Sequence, residues 1–69
     1  MKISARNMLK GKVSKLTHGA VNTEVVLDLP GGSQVVSIIS KESAEKLGLE
    51  KNKEIYAVIK ASNVMIAVD

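Results

Sequence analysis

An all-β barrel is expected from these 69 residues, and three features argue for it. Apolar and polar residues alternate with period two in several stretches, the mark of half-buried strands. A Pro30-Gly31-Gly32-Ser33 run separates two such stretches and reads as a tight turn. The alternation breaks once, between the third and fourth stretches, where a short helical pattern takes over. Strand, strand, strand, helix, strand, strand is the order of a five-stranded Greek-key barrel of the OB type. An SH3-like barrel is the nearest competing arrangement.

The first strand is expected from Ala5 to Leu16, with Leu9, Val13 and Leu16 in the core. Gly11 inside it marks a bend or bulge. Thr17-His18-Gly19 reads as a turn. The second strand is expected from Ala20 to Leu29. Val21, Thr23, Val25, Leu27 and Leu29 share one of its faces, and Asn22, Glu24 and Asp28 take the other. The third strand follows from Gln34 to Ile39. Ser40 is then a good N-cap, Glu42 sits in the first helical turn, and Gly48 is suited to the position just past the end. Ala44 and Leu47, three apart, would face the core together. Leu49 to Lys53 is a polar connection. Ile55, Ala57 and Ile59 alternate along a fourth strand. Val64-Met65-Ile66-Ala67-Val68 makes a fifth, with Asn63 in the turn between them.

A chain of this length holds one small domain and is marginal on burial alone. It has no cysteine and a single histidine, His18, so disulfides, thiolate metal sites and a multi-histidine site within one chain are excluded. Oligomerisation is the remedy left, and a 45% hydrophobic share agrees with it. Met1-Lys2-Ile3-Ser4 begins no apolar leader, and no apolar run approaches the roughly 20 residues of a membrane span, so the cytoplasm is the expected location. The formal charge of +3 suits an anionic partner. Tyr56 is the only aromatic residue. Single-stranded nucleic-acid binders stack bases on several aromatic platforms. An OB-type nucleic-acid module is therefore the second reading, favoured by fold and charge and opposed by this lack. Nothing assembles into a nucleophile with its base or a phosphate loop ending in Lys-Ser/Thr, so no enzyme is expected.

Three short stretches carry candidate chemistry. Ser4-Ala5-Arg6-Asn7 gathers a hydroxyl, an arginine and an amide where the first strand begins. Arg6 is the one arginine among ten basic residues, and its fork of donors fits a tetrahedral anion better than a lysine does. Taken alone, a solvated strand start explains the stretch more simply. Ser40 and Ser43 stand three apart at a helix start, where hydroxyls and free amides favour negative charge. A plain N-cap is the simpler explanation there, and the two can coexist. Lys60-Ala61-Ser62 closes the fourth strand, and a lysine reaching solvent at a strand end is common. Together, Ser4, Arg6, Ser40, Ser43 and Lys60 make a set rich in donors and free of carboxylates. Such a set suits an obligate dianion such as sulfate, molybdate or tungstate over partly protonated phosphate.

The sequence resembles the molbindins, the small Mop proteins, and the molybdate-binding domains of molybdate-responsive regulators and of some transport ATPases. The likeness runs through Ile3-Ser4-Ala5-Arg6-Asn7, Leu9 and Gly11-Lys12-Val13. It continues through Thr23 to Leu27, Ser37 to Ser40 with Ser43, Leu47-Gly48-Leu49, Ala57 to Ala61 and Val64-Met65-Ile66. It implies a single Mop/TOBE-like domain over residues 1–69 with an OB-type barrel. It implies storage or buffering of molybdate or tungstate, bound without covalent change between the subunits of a hexamer built as a trimer of dimers. No cofactor, membrane or catalytic step is implied. By motif the oxyanion donors are Ser4, Ala5, Arg6, Ser40, Ser43, Lys60 and Ala61, the alanines acting through backbone amides. A second class of site near the threefold axis would be lined by His18, Gly19, Val21 and Asn22, with Ser62 as a further candidate.

Overall fold

The computed structural model describes residues 2–69; Met1, which opens the Met1-Lys2-Ile3-Ser4 stretch, lies outside them. The described chain is all-β apart from one short α-helix and one 3₁₀ turn. Its elements are β1 (Asn7–His18), β2 (Asn22–Asp28), β3 (Gln34–Ser40), α1 (Lys41–Lys46) and β4 (Glu54–Ile59), then a 3₁₀ turn at Ala61–Asn63. The sheet is antiparallel, in the order β3-β2-β1-β4, and curls into a half-barrel.

β1 organises the sheet. It pairs with β4 over Asn7–Lys12 and with β2 over Lys12–His18. The hand-over is made by a bulge: Val13 faces Leu27 and Lys15 faces Val26, so Ser14 is the extra residue. A bulge bends a strand and reverses its inside-outside alternation. Val13 and Leu16, three apart, can then both face the core, as the sequence required. Ser14 returns its hydroxyl to the carbonyl of Val26 at 3.2 Å. The bulge lies three residues beyond Gly11, where the bend was expected. Gly11 answers a different need. A Cβ there would stand 2.6 Å from the carbonyl oxygen of Asp28, so only glycine permits the close approach.

The turn between β2 and β3 forms as expected. Leu29 N–H donates to Ser33 O at 2.8 Å, and Gly31 and Gly32 take φ of 93° and 96°, open to residues without a Cβ. Ser40 caps α1 by accepting the Ser43 amide at 3.0 Å. At the other end, Gly48 and Leu49 amides donate back to Glu45 and Ala44. Lys53 Nζ donates to the Leu47 and Gly48 carbonyls at 2.8 and 3.0 Å, satisfying acceptors the helix leaves open.

The core is small: Val13, Val25, Leu27 and Ala44, with Thr23. Leu16, Val35, Ile39, Leu49, Ile55 and Ala57 pack around the Val13–Val25–Leu27 cluster half-buried. Several expectations are corrected. β1 runs on through His18, because Leu16 to His18 pair with Thr23 to Val25, and the turn is Gly19 to Val21. Val21 lies in that turn and is exposed. Leu47 is exposed because it is the C-cap, and Leu49, beyond the reversal, takes the inward place. Leu9 is on the inner face but at an end of the sheet that α1 does not cover, so it is exposed. The main correction is the strand count. Four strands form among the described residues, and Val64–Val68 joins none of them: Met65, Ile66 and Val68 are 93%, 87% and 92% exposed.

Gly11→Ala is expected to lower stability by about 1–3 kcal/mol through the clash with Asp28, measured by thermal melting. An unchanged melting temperature would mean the β1–β2 approach is looser than this structure has it.

Candidate functional site

The first group of candidate residues gathers where β1 begins and β4 ends. The last pair of their ladder is Asn7 with Ile59, and Asn7 Nδ2 donates to the Ile59 carbonyl at 3.2 Å. Arg6 immediately precedes Asn7 and Lys60 immediately follows Ile59, so the two cations flank the last pair of the ladder. Ser4-Ala5-Arg6 and Lys60-Ala61 therefore leave the sheet at the same end. Arg6, Lys60, Ser4 and Ala61 are exposed and Ala5 is half-buried. Neither cation has a carboxylate partner: the ion pairs among the described residues are Lys10–Glu54 at 3.2 Å and Lys46–Glu42 at 3.0 Å. Two neighbouring like charges repel, and an anion placed between them relieves that repulsion. Asn7 was not among the expected site residues, yet its side chain fixes the β4 end beside Arg6. The one clue in the sequence is an amide at a strand start.

The second group is the start of α1. Ser40 Oγ–H donates to Ser43 Oγ at 2.8 Å while Ser40 Oγ accepts the Ser43 amide. That leaves the Ser43 hydroxyl proton free for an outside acceptor. Glu42, in the same turn, is turned to Lys46, so its carboxylate is engaged. The capping role and a donor role coexist, as the sequence allowed.

These two groups do not meet within one chain. Ser40 pairs with Asn22, next to the Thr23 that faces His18, so α1 begins at the far end of β1. Arg6 and Lys60 stand at the near end. No side-chain hydrogen bond or ion pair among the described residues joins them.

Of the further candidates, His18, Gly19, Val21 and Asn22 lie together. His18 Nδ1 and Thr23 Oγ1 are 3.0 Å apart, Gly19 N–H donates to Asn22 O at 2.7 Å, and Lys41 N–H donates to Val21 O at 2.8 Å. A hollow of about 480 Å³ beside them is lined by His18, Lys41, Ala44, Glu45, Gly48 and Leu49. Glu45 brings a carboxylate to that hollow, which disfavours an anion there. Ser62 sits in the 3₁₀ turn after Lys60, at the opposite end of β1. Away from both groups, the hydrogen bond and charge of Glu54 raise the Lys10 pKa above its ordinary value, so that ammonium is committed to its partner.

A family model for the TOBE domain matches residues 3–66. The chain belongs to the TOBE domain family. Molybdenum-pterin-binding protein 1 of Clostridium pasteurianum is 53% identical to this TOBE domain over 66 residues, 96% of this chain and 97% of its own. The structure of MopII from the same organism superposes with a TM-score of 0.91 at 51% identity, covering 97% of this chain and all of that one. A structure described as the cytoplasmic molybdate-binding protein ModG, with molybdate bound, superposes with a TM-score of 0.91 at 48% identity. It covers 94% of this TOBE domain and 46% of the ModG chain.

Ser40→Ala is expected to cost about 0.5–2 kcal/mol, the usual loss for an N-cap hydroxyl. Ser43→Ala, which leaves the cap bond intact, is expected to melt within about 0.5 kcal/mol of the wild type. Equal losses in calorimetry would show that the Ser40–Ser43 hydroxyl bond, and not the cap, holds the turn.

Proposed function

We propose that residues 1–69 form one molybdate-binding domain with an OB-type barrel plan. It holds molybdate, or tungstate, non-covalently and without chemical change, as a cytoplasmic store or buffer. The observation that carries this is the adjacent, carboxylate-free pair Arg6 and Lys60 at the end of the β1–β4 ladder. The relatives' names support it: proteins 49–54% identical over nearly their whole length are described as molybdenum-pterin-binding.

In this reading Arg6 and Lys60 supply charge and donors, Ser4, Ser40 and Ser43 supply hydroxyls, and Ala5 and Ala61 supply backbone amides. Every one of these donates, and a fully ionised oxyanion only accepts. The two groups sit at opposite ends of β1, so a pocket using both takes Arg6 and Lys60 from one subunit and Ser40 and Ser43 from another. Burial between subunits lowers the effective dielectric and strengthens each contact. This supports a homo-oligomer, as in the hexamer implied by the molbindin resemblance. The turn from His18 to Asn22, with Ser62 as a further candidate, would line a second and weaker class of site, since Glu45 sets a carboxylate against an anion there. A metal–pterin ligand is the second reading, from the relatives' names. A pterin ring offers a flat face for stacking, as a nucleic-acid base does, and Tyr56 is the only aromatic residue to meet it.

Isothermal titration with molybdate, against sulfate and phosphate at equal concentration, tests the proposal. Heat is expected with molybdate at micromolar protein, and its absence would refute the function. Arg6→Ala and Lys60→Ala should each weaken binding by about tenfold or more, since one charge-assisted hydrogen bond is worth roughly 1.5–3 kcal/mol. Wild-type affinity in both variants would place the site elsewhere. Molybdate at about 100 times its Kd should add roughly 2.7 kcal/mol to stability by mass action, read as a higher melting temperature.

A further inference from the structure

We infer that Asn7 is a positioning residue for the oxyanion site: its side-chain amide fixes the Ile59–Lys60 peptide and so aims Lys60. The inference rests on the oxyanion reading and adds to it a residue that acts without touching the ion. Asn7 is half-buried and forms the last pair of the β1–β4 ladder with Ile59. Arg6 is bonded directly to Asn7, and Lys60 directly follows Ile59. Two cations that flank one pair repel, and the end of a ladder is where strands fray. A link across this end opposes that opening.

Among the described residues, two side-chain links join β1 to β4. One is the exposed Lys10–Glu54 ion pair at 3.2 Å, nearer the other end of the ladder. The second is Asn7 Nδ2, which donates to the Ile59 carbonyl at 3.2 Å. Only this second link lies where the two cations leave the sheet. The Ile59 carbonyl belongs to the peptide that carries the Lys60 nitrogen. On the other side, the Lys60 carbonyl accepts Asn63 N–H at 2.9 Å. Both peptide units around the Lys60 Cα are thus hydrogen-bonded, with Lys60 extended at φ −65° and ψ 134°. A Cα held on both sides fixes the direction in which its side chain leaves, and only the rotamers stay free.

The residue type suits this task. A carbonyl only accepts, so its partner must donate, and the Asn7 amide turns its nitrogen to it. Lysine or arginine could also donate but would add a third cation to an end already strained by two. Aspartate has the shape of asparagine but offers only acceptors, and it would bring a carboxylate to an end that has none. Alanine would leave the Ile59 carbonyl to water and the Lys60 peptide untied. A donor aimed beforehand loses less freedom when the anion arrives, and that difference appears as affinity.

The test is a double-mutant cycle. Molybdate is titrated into the wild type, Asn7→Ala, Lys60→Ala and the double variant, with melting and sedimentation recorded for each. Asn7→Ala is expected to bind roughly three- to tenfold more weakly, the scale of one neutral hydrogen bond. Asn7→Asp should bind more weakly still. If Asn7 acts through Lys60, its removal changes little once Lys60 is gone, so the two losses do not multiply. Losses that multiply would show that Asn7 acts apart from Lys60, by direct contact with the ion or by general stability, and would overturn the inference. A wild-type Kd in Asn7→Ala would overturn it as well, leaving the oxyanion reading intact. A wild type that takes up no molybdate removes that reading and this inference together. Should Asn7→Ala fail to fold, the wild type is read by NMR. Slow exchange of one Asn7 side-chain amide proton, with NOEs from it to the Ile59–Lys60 backbone, is expected. Fast exchange of both protons without those NOEs would contradict the tie.

Discussion

The bent strand β1 is the member on which the rest of the structure depends. Its first half holds β4 and its second half holds β2, and the bulge at Ser14 makes the change. Without the extra residue, Val13 and Leu16 would face opposite sides, and the cluster around Val25 and Leu27 would lose a contributor. Gly11 lets the strand come up against the backbone of Asp28. The same strand separates the two groups of candidate site residues. Arg6 precedes it and Lys60 comes alongside that start, whereas the cap of α1 lies beyond its other end. Core and candidate site are thus two consequences of one pairing pattern.

Small size explains why the structure turns outward. Four buried apolar residues and one buried threonine form a slight core. Burial of one large aliphatic side chain contributes about 1.5–3 kcal/mol, while ordering each residue costs about 1–2 kcal/mol. A chain of this length has little surplus. β3 and β4 each keep one unpaired edge, and the apolar residues Met65, Ile66 and Val68 are exposed. In the proposed function, association and oxyanion binding would share a physical basis, because an interface that excludes water also raises the value of two cations facing a dianion.

Much of this was legible in the sequence. Period-two alternation located four strands, the Pro30–Ser33 turn and the Ser40 cap fell where expected, and the helix lies between the third and fourth strands. What was not legible concerns pairing. The apolar run Val64–Val68 reads as a strand in the sequence, but it pairs with none of the four strands described. The bulge at Ser14 leaves no mark in composition, and the glycine that hinted at it serves a close approach instead. Helical spacing assigns Leu47 to the core, but the helix ends there and Leu49 supplies the contact. For the site, residue types pointed to donors without carboxylates. That Arg6 and Lys60 are neighbours, and that Ser40 and Ser43 are remote from them, follows only from the register.

The claim that the oxyanion pocket is shared between subunits is tested most directly by complementation. Arg6→Ala and Ser43→Ala chains, each weakened in molybdate binding, are unfolded, mixed and refolded together, then titrated with molybdate. A shared pocket predicts that a minority of pockets in the mixture regain wild-type affinity, because some interfaces pair an intact Arg6 with an intact Ser43. A mixture that binds no better than the two variants measured separately would contradict it.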